Sequence, residues 1–244
     1  MSKLALVTGG SGGLGAAICH KLANFGYKVI LTYNSNPQSA QKVLSELSGE
    51  GHQAFQLDVS DSDAIDALAK KVEEINSQLD LLVNCAGMTK FVEHSDLSGL
   101  NDELFDLIFQ VNVRAPFAMV RASESLLRKA KGCVVNITSI AAQTAMGSNI
   151  AYCSSKSAVE NMTRSLARAL SPDIRVLAVA PGLVDTEFVK GLDDNWRNQQ
   201  EQATPLKRLA SDEEVANAVY AAAEILTFST GNTIAVDGGR PLGS

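Results

Sequence analysis

The chain has 244 residues, 45% of them hydrophobic, and a formal net charge of −6. That length suits one α/β domain with a large core, and the acidic balance argues against nucleic acid or an anionic membrane as partner. No apolar run approaches the roughly 20 residues of a membrane span. Cys19, Cys85, Cys133 and Cys153 stand singly without a CxxC pair, and His20, His52 and His94 share no ligand spacing. No metal site is expected, and reduced thiols in a cytoplasmic setting fit best.

Short apolar strands alternate with helical periodicities along the chain. Strands are expected at 4–8, 28–33, 53–57, 80–84, 133–138, 175–179 and 233–236. Helices are expected at 14–25, 38–48, 61–77, 102–128, 152–170 and 212–226. Such alternation implies right-handed crossovers and a parallel sheet covered on both faces. The expectation is therefore a Rossmann-like, doubly wound α/β fold in a single domain over 1–244. Two longer irregular stretches, 86–101 and 181–209, read as functional loops, the second as a substrate lid carrying Trp196.

The first strand runs into Gly9-Gly10-Ser11-Gly12-Gly13-Leu14-Gly15 and then a helix. Glycines let a backbone approach a pyrophosphate, and a helix N-terminus offers N–H groups and a positive dipole end. Further on, Tyr152 and Lys156 lie four residues apart at the head of an apolar-periodic run through Val159, Met162 and Leu166. On a helix both leave one face, and a phenol beside an ammonium has a reason for a lowered pKa. Ser139 follows the strand at 133–138, so its hydroxyl belongs at a strand's carboxyl end.

These residues resemble a known family in order. The set comprises Thr8-Gly9-x-x-x-Gly13-x-Gly15, then Asn84-Cys85-Ala86-Gly87, then Ser139 thirteen residues before Tyr152, with Lys156. Pro181-Gly182-Leu183-Val184-Asp185-Thr186 and Val236-Asp237-Gly238-Gly239 complete it. Together they resemble the short-chain dehydrogenase/reductase family across the whole chain, with cysteine at 85 where the family carries asparagine. The resemblance implies a seven-stranded sheet of order 3-2-1-4-5-6-7, with the dinucleotide across the strands' carboxyl ends. It implies Asn112, Ser139, Tyr152 and Lys156 as the catalytic set. It implies cofactor contacts at Thr8, Gly9, Ser11, Gly12, Gly13, Leu14 and Gly15, at Tyr33, Asn34 and Ser35, and at Asp58 and Val59 beside adenine. Asn84, Ala86, Gly87, Tyr152, Lys156, Pro181, Gly182, Val184 and Thr186 complete the cofactor set, with no metal.

The expected chemistry interconverts a carbonyl and a secondary alcohol. Tyr152 donates the proton in reduction and takes it in oxidation. Lys156 lowers the Tyr152 pKa and, by the resemblance, holds the nicotinamide ribose; Ser139 donates to the carbonyl oxygen. Asn112 sits in a long helical pattern with Pro116 four residues later. Its carbonyl loses an i+4 partner and is free to hold a water, which by the resemblance links the lysine to solvent; a helix kink and nothing more is the alternative. The second strand ends without a carboxylate, and Asn34 and Ser35 can donate to a 2′-phosphate, so NADP(H) is expected, with NAD(H) the alternative. The substrate is expected to be a small carbonyl or alcohol lined by Thr89, Phe91, Thr144, Met146, Val184 and Phe188. Apolar positions such as Leu104, Leu107, Phe109 and Phe117 exceed one buried stripe and imply a homotetramer, with a dimer as alternative. A non-catalytic dinucleotide-binding scaffold is the competing reading; the presence of Ser139, Tyr152 and Lys156 together weighs against it.

Overall fold

Apolar runs of four to seven residues, bounded by glycine or polar turns, form the seven parallel strands of one sheet. The computed structural model describes residues 2–185 and 194–242. The strands are β1 (Leu4–Val7), β2 (Lys28–Tyr33), β3 (Gln53–Gln56), β4 (Leu81–Asn84), β5 (Cys133–Ile137), β6 (Arg175–Pro181) and β7 (Thr233–Val236). Their order is β3-β2-β1-β4-β5-β6-β7, every pair parallel, as the resemblance implied. Alternation along β1 divides the core: Ala5 and Val7 pack on one face, Leu4 and Leu6 on the other.

The first face is covered by α1 (Gly13–Asn24), α2 (Pro37–Glu46) and α9 (Asp212–Tyr220). The second is covered by α3 (Ser62–Ile75), α5 (Ala115–Ala130) and α7 (Ile150–Leu170). Helix α4 (Asp102–Phe109), the short α6 (Ala141–Thr144) and α8 (Asp194–Gln202) lie in the connections. Helix starts follow capping chemistry. Asn36 accepts from the Ser39 N–H, Asp61 from those of Asp63 and Ala64, and Ser211 with Glu214 forms a capping box.

Two expected helices differ in kind. The run at 102–128 is three pieces: α4, a π-helical turn at Gln110–Arg114, and α5. Pro116 has no N–H and sits in the first turn of α5, where a missing donor costs least. The Ala115 N–H reaches back to the Gln110 carbonyl, an i→i+5 bond. The run at 212–226 likewise ends in a π-helical turn, Ala221–Ile225. Its terminal carbonyls are capped by Arg175, whose guanidinium donates to Ala222, Ala223 and Leu226.

Candidate active site

The glycine loop begins where β1 ends. Gly9 takes a positive φ of 67° and packs so closely on Ala86 that a Cβ there would lie 3.0 Å from its Cα. At Gly15 a Cβ would fall 2.2 Å from the Gly9 carbonyl oxygen, so helix and loop touch backbone to backbone. Around Gly12 and Gly13 the opposite holds: a Cβ would meet nothing within 4 Å. Gly12 is the N-cap of α1 and brings no side chain to its first-turn N–H groups. The loop is therefore tight inside and open outside, which is what a diphosphate needs.

Thr8 is a different kind of residue from the contact expected of it. Its side chain is buried; its hydroxyl donates to the Val83 carbonyl and accepts from the N–H groups of Cys85 and Ala86. With its hydroxyl so engaged, it bolts the end of β1 to the Asn84–Gly87 turn rather than facing a ligand. Asn84 is also turned inward. Its amide donates to Asn136 Oδ1 at 2.9 Å and to the Pro116 carbonyl, and Asn136 donates on to Thr163 of α7. Both side chains set the frame and do not line the cleft.

That cleft, of about 330 Å³, is lined by Leu14, Cys85, Gly87, Met88, Thr89, Ile137–Ser139, Tyr152, Lys156, Pro181, Gly182 and Val184. It unites residues from the ends of β4, β5 and β6 with the first turns of α1 and α7. A larger hollow of about 610 Å³ between α1 and α9 holds none of Ser139, Tyr152 or Lys156. The chemistry belongs to the smaller cleft because the converging polar groups are there.

Asn149 caps α7 by accepting from the Tyr152 N–H at 2.7 Å and donates to the Lys90 carbonyl and Thr89 hydroxyl. The start of the helix that carries Tyr152 is thereby joined to the loop after β4. Ser139 hydrogen-bonds the Tyr152 phenol and lowers its pKa, but burial is the larger effect and holds the phenol above its ordinary value. Lys156 lies near the phenol on the same helix. Its Nζ lies 5.8 Å from the Tyr152 ring centroid and donates to the Ile137 carbonyl at 2.9 Å. Burial takes its own pKa down to about 8. Desolvation at both groups outweighs the attraction a sequence argument assigns to a neighbouring ammonium.

Asn112, buried in the π-helical turn, accepts from the Met88 N–H and donates to the Met88 carbonyl and to Ser155 of α7. A Cβ on Gly87 would come within 3.3 Å of Asn112 Oδ1 and 3.7 Å of Lys156 Nζ, so the chain passes close between them. Cys85 lines the cleft and its thiol is pushed up to about 11 by burial, with Lys156 pulling it down; it is no ready nucleophile.

At the other end of the cradle, Asn34 and Ser35 are exposed past β2. Asp58 accepts from the Ser60 N–H and hydroxyl through one oxygen, which lowers its pKa; Asp61, not Asp58, is the helix cap. Of the expected lining residues, Thr89 and Val184 reach the cleft, whereas Phe91 and Met146 point to solvent. Thr186 and Phe188 lie outside the described residues. Asn149, Ser155 and the Ile137 carbonyl join the site beyond the residues the sequence singles out: Asn149 carries a local signal, an asparagine at a helix N-cap, whereas Ser155 meets Asn112 and Lys156 meets Ile137 across 43 and 19 residues.

Residues 9–240 match the family model described as enoyl-(acyl carrier protein) reductase. The 3-oxoacyl-[acyl-carrier-protein] reductase FabG of Staphylococcus aureus is 33% identical over 98% of both chains. The 3-oxoacyl-[acyl-carrier-protein] reductase MabA of Mycobacterium bovis is 33% identical over 100% of this chain and 94% of its own. A short-chain dehydrogenase/reductase structure from Burkholderia xenovorans superposes with a TM-score of 0.92 at 31% identity, covering 99% of both chains.

Proposed function

The chain belongs to the short-chain dehydrogenase/reductase family, and from that premise we propose that it is an NADP(H)-dependent carbonyl reductase in which Tyr152 is the general acid. The observation that carries this reading is the convergence of Ser139, Tyr152 and Lys156 on one cleft beside an open glycine cradle. The cradle at Gly12 and Gly13 and the uncapped N-terminus of α1 fit a diphosphate, and Gly87, Pro181 and Gly182 line the cleft in which this reading would seat the nicotinamide. In this reading Asp58 and Val59 contact adenine and Asn34 and Ser35 a 2′-phosphate; the absence of a carboxylate after β2, which would repel that phosphate, supports it. When bound, the nicotinamide supplies the hydride.

The protein residues supply the rest. Ser139 donates to the carbonyl oxygen where negative charge gathers. A phenol is protonated at neutral pH, as an acid for reduction must be; burial raises its pKa further, and the Ser139 hydrogen bond, which lowers it, stabilises the anion after the proton leaves. Lys156, held at the Ile137 carbonyl, would hold the nicotinamide ribose. Asn112 fixes the Met88 backbone, and in this reading its carbonyl would hold a relay water. The substrate is a small ketone in this reading. A 3-oxoacyl thioester is the second candidate, favoured by the names of the relatives. Against a docked acidic carrier, Arg128 is paired with Glu124 and Asp173, and Lys129 with Glu73.

One catalytic domain in a cytoplasmic homotetramer completes the proposal. No described helix is long and apolar enough to cross a membrane, and the described residues hold no metal cluster. Phe105 stacks on Phe109 at 5.0 Å, and Phe105, Leu107 and Phe117 are exposed along α4 and α5. Light scattering checks the assembly, and a monomer contradicts it. The function is tested by following nicotinamide absorbance over a ketone panel that includes acetoacetyl-coenzyme A. Tyr152→Phe should abolish turnover while NADPH still binds; turnover that survives the substitution overturns the mechanism. Tighter binding of NADH than NADPH overturns the cofactor assignment.

A further inference from the structure

The π-helical turn Gln110–Arg114 presents two faces with different partners. On one, Asn112 holds Met88 through both its N–H and its carbonyl, and holds Ser155 of α7. On the other, Gln110 Nε2 donates to the Ser60 carbonyl at 3.1 Å, and Arg114 donates to the same carbonyl and to Ser62 Oγ at 2.6 Å. Residues four apart share one helix face, so both donors converge on one acceptor. Ser60 in turn holds Asp58 Oδ1 through its N–H at 2.8 Å and its hydroxyl at 2.7 Å. An unbroken set of polar contacts thus runs from Asp58, through Ser60 and the π-turn, to the Met88 backbone on the cleft wall.

We propose that Gln110 and Arg114 are positioning residues that couple the adenine end of the cofactor site to the nicotinamide end, the π-turn acting as the strut between them. The proposal rests on the reading that Asp58 and Val59 contact adenine. Two features argue for a strut over an ordinary surface clamp. Gln110 and Arg114 lie on one face of a single turn and Asn112, two residues from each, on the other, so one short hydrogen-bonded segment joins the Ser60 carbonyl to the Met88 backbone. The clamp also grips a backbone carbonyl, so it fixes the path of the 58–62 loop and not merely one rotamer. Ordering this loop by adenine should therefore order the turn, and with it Asn112 and the Gly87–Met88 wall beside Lys156.

Half-cofactors test this without a substrate. Reduced nicotinamide mononucleotide is titrated by its fluorescence, with and without saturating 5′-AMP, with adenosine 2′,5′-bisphosphate in parallel. In the wild-type protein the adenine half should tighten the nicotinamide half by at least about threefold. In Arg114→Gln and in Gln110→Met that ratio should fall toward one, and Arg114→Lys should restore part of it, with melting temperatures within a few degrees of wild type. A wild-type ratio of one, or an unchanged ratio in both variants, overturns the coupling. So does weakening of both halves by the same factor, which is what a merely structural clamp would give. If neither adenine fragment displaces NADPH, the adenine reading itself fails and the coupling falls with it.

Discussion

Replacing Gly15 by alanine should injure both the fold and cofactor binding, whereas the same change at Gly12 should injure binding alone. A Cβ at position 15 would lie 2.2 Å from the Gly9 carbonyl oxygen, 2.9 Å from the Gly9 carbonyl carbon and 3.0 Å from Gly10 Cα. All three are backbone atoms, so no side chain can swing away, and relief requires the loop to move by about 1 Å. Overpacking of this kind costs about 1–3 kcal/mol. Alanine returns up to about 1 kcal/mol of helix propensity in α1. A 2.2 Å approach to backbone puts the cost at the upper end of that range, so the net is about 2 kcal/mol, or roughly 4–8 °C in melting temperature for a chain of this size. A cradle displaced by about 1 Å should also weaken NADPH by on the order of tenfold or more. At Gly12 the backbone is extended, with φ −172° and ψ 168°, and a Cβ meets nothing. Gly12→Ala should leave the melting temperature unchanged and weaken NADPH, because the open space is the ligand's. Thermal unfolding with and without NADPH separates the two effects, since bound ligand adds its own linkage term. Wild-type stability and affinity in Gly15→Ala would refute the argument, as would a large loss of stability in Gly12→Ala.

Lys156→Met should abolish turnover yet stabilise the protein at neutral pH. The native pKa of about 8 lies below the unfolded value of 10.5, so between those values the unfolded chain binds more protons and stability rises with pH; below about pH 8 the full penalty is present. At about 1.4 kcal/mol per pH unit the penalty is roughly 3 kcal/mol. The wild-type minus variant difference in unfolding free energy should therefore shrink between pH 8 and 10.5, and a flat difference refutes the burial argument. Asp61→Ala removes the side-chain acceptor of two N–H groups at the start of α3 and should cost about 1 kcal/mol in denaturant unfolding. Because Asp61 is the cap and Asp58 is not, the same change should leave NADPH affinity near wild type; a large loss of affinity would contradict that division of labour.

The sequence by itself determined the order of elements and the chemistry of the site. Periodicity reports which side of an element is buried, and for Leu4–Val7 or Ile150–Leu170 the local pattern is the fold's own pattern. Caps such as Asp61 are local too, and Gly15, Ser139, Tyr152 and Lys156 belong to motifs only a few residues long. What the tertiary structure decided are matters of partnership across long separations. Thr8 looks available in sequence, but β1 and β4 are neighbours in the sheet, and that adjacency engages its hydroxyl with Val83, Cys85 and Ala86. Asn84 is claimed by Asn136 for the same reason, through β4 and β5. A spacing of four residues placed Lys156 beside Tyr152, but burial depth, which no spacing encodes, governs the pKa of both. Pro116 marks an interruption in the helix. That the interruption is a π-turn, with Asn112 on one side and the Gln110–Arg114 clamp on Ser60 on the other, follows only when α3, α5 and α7 pack on one face of the sheet.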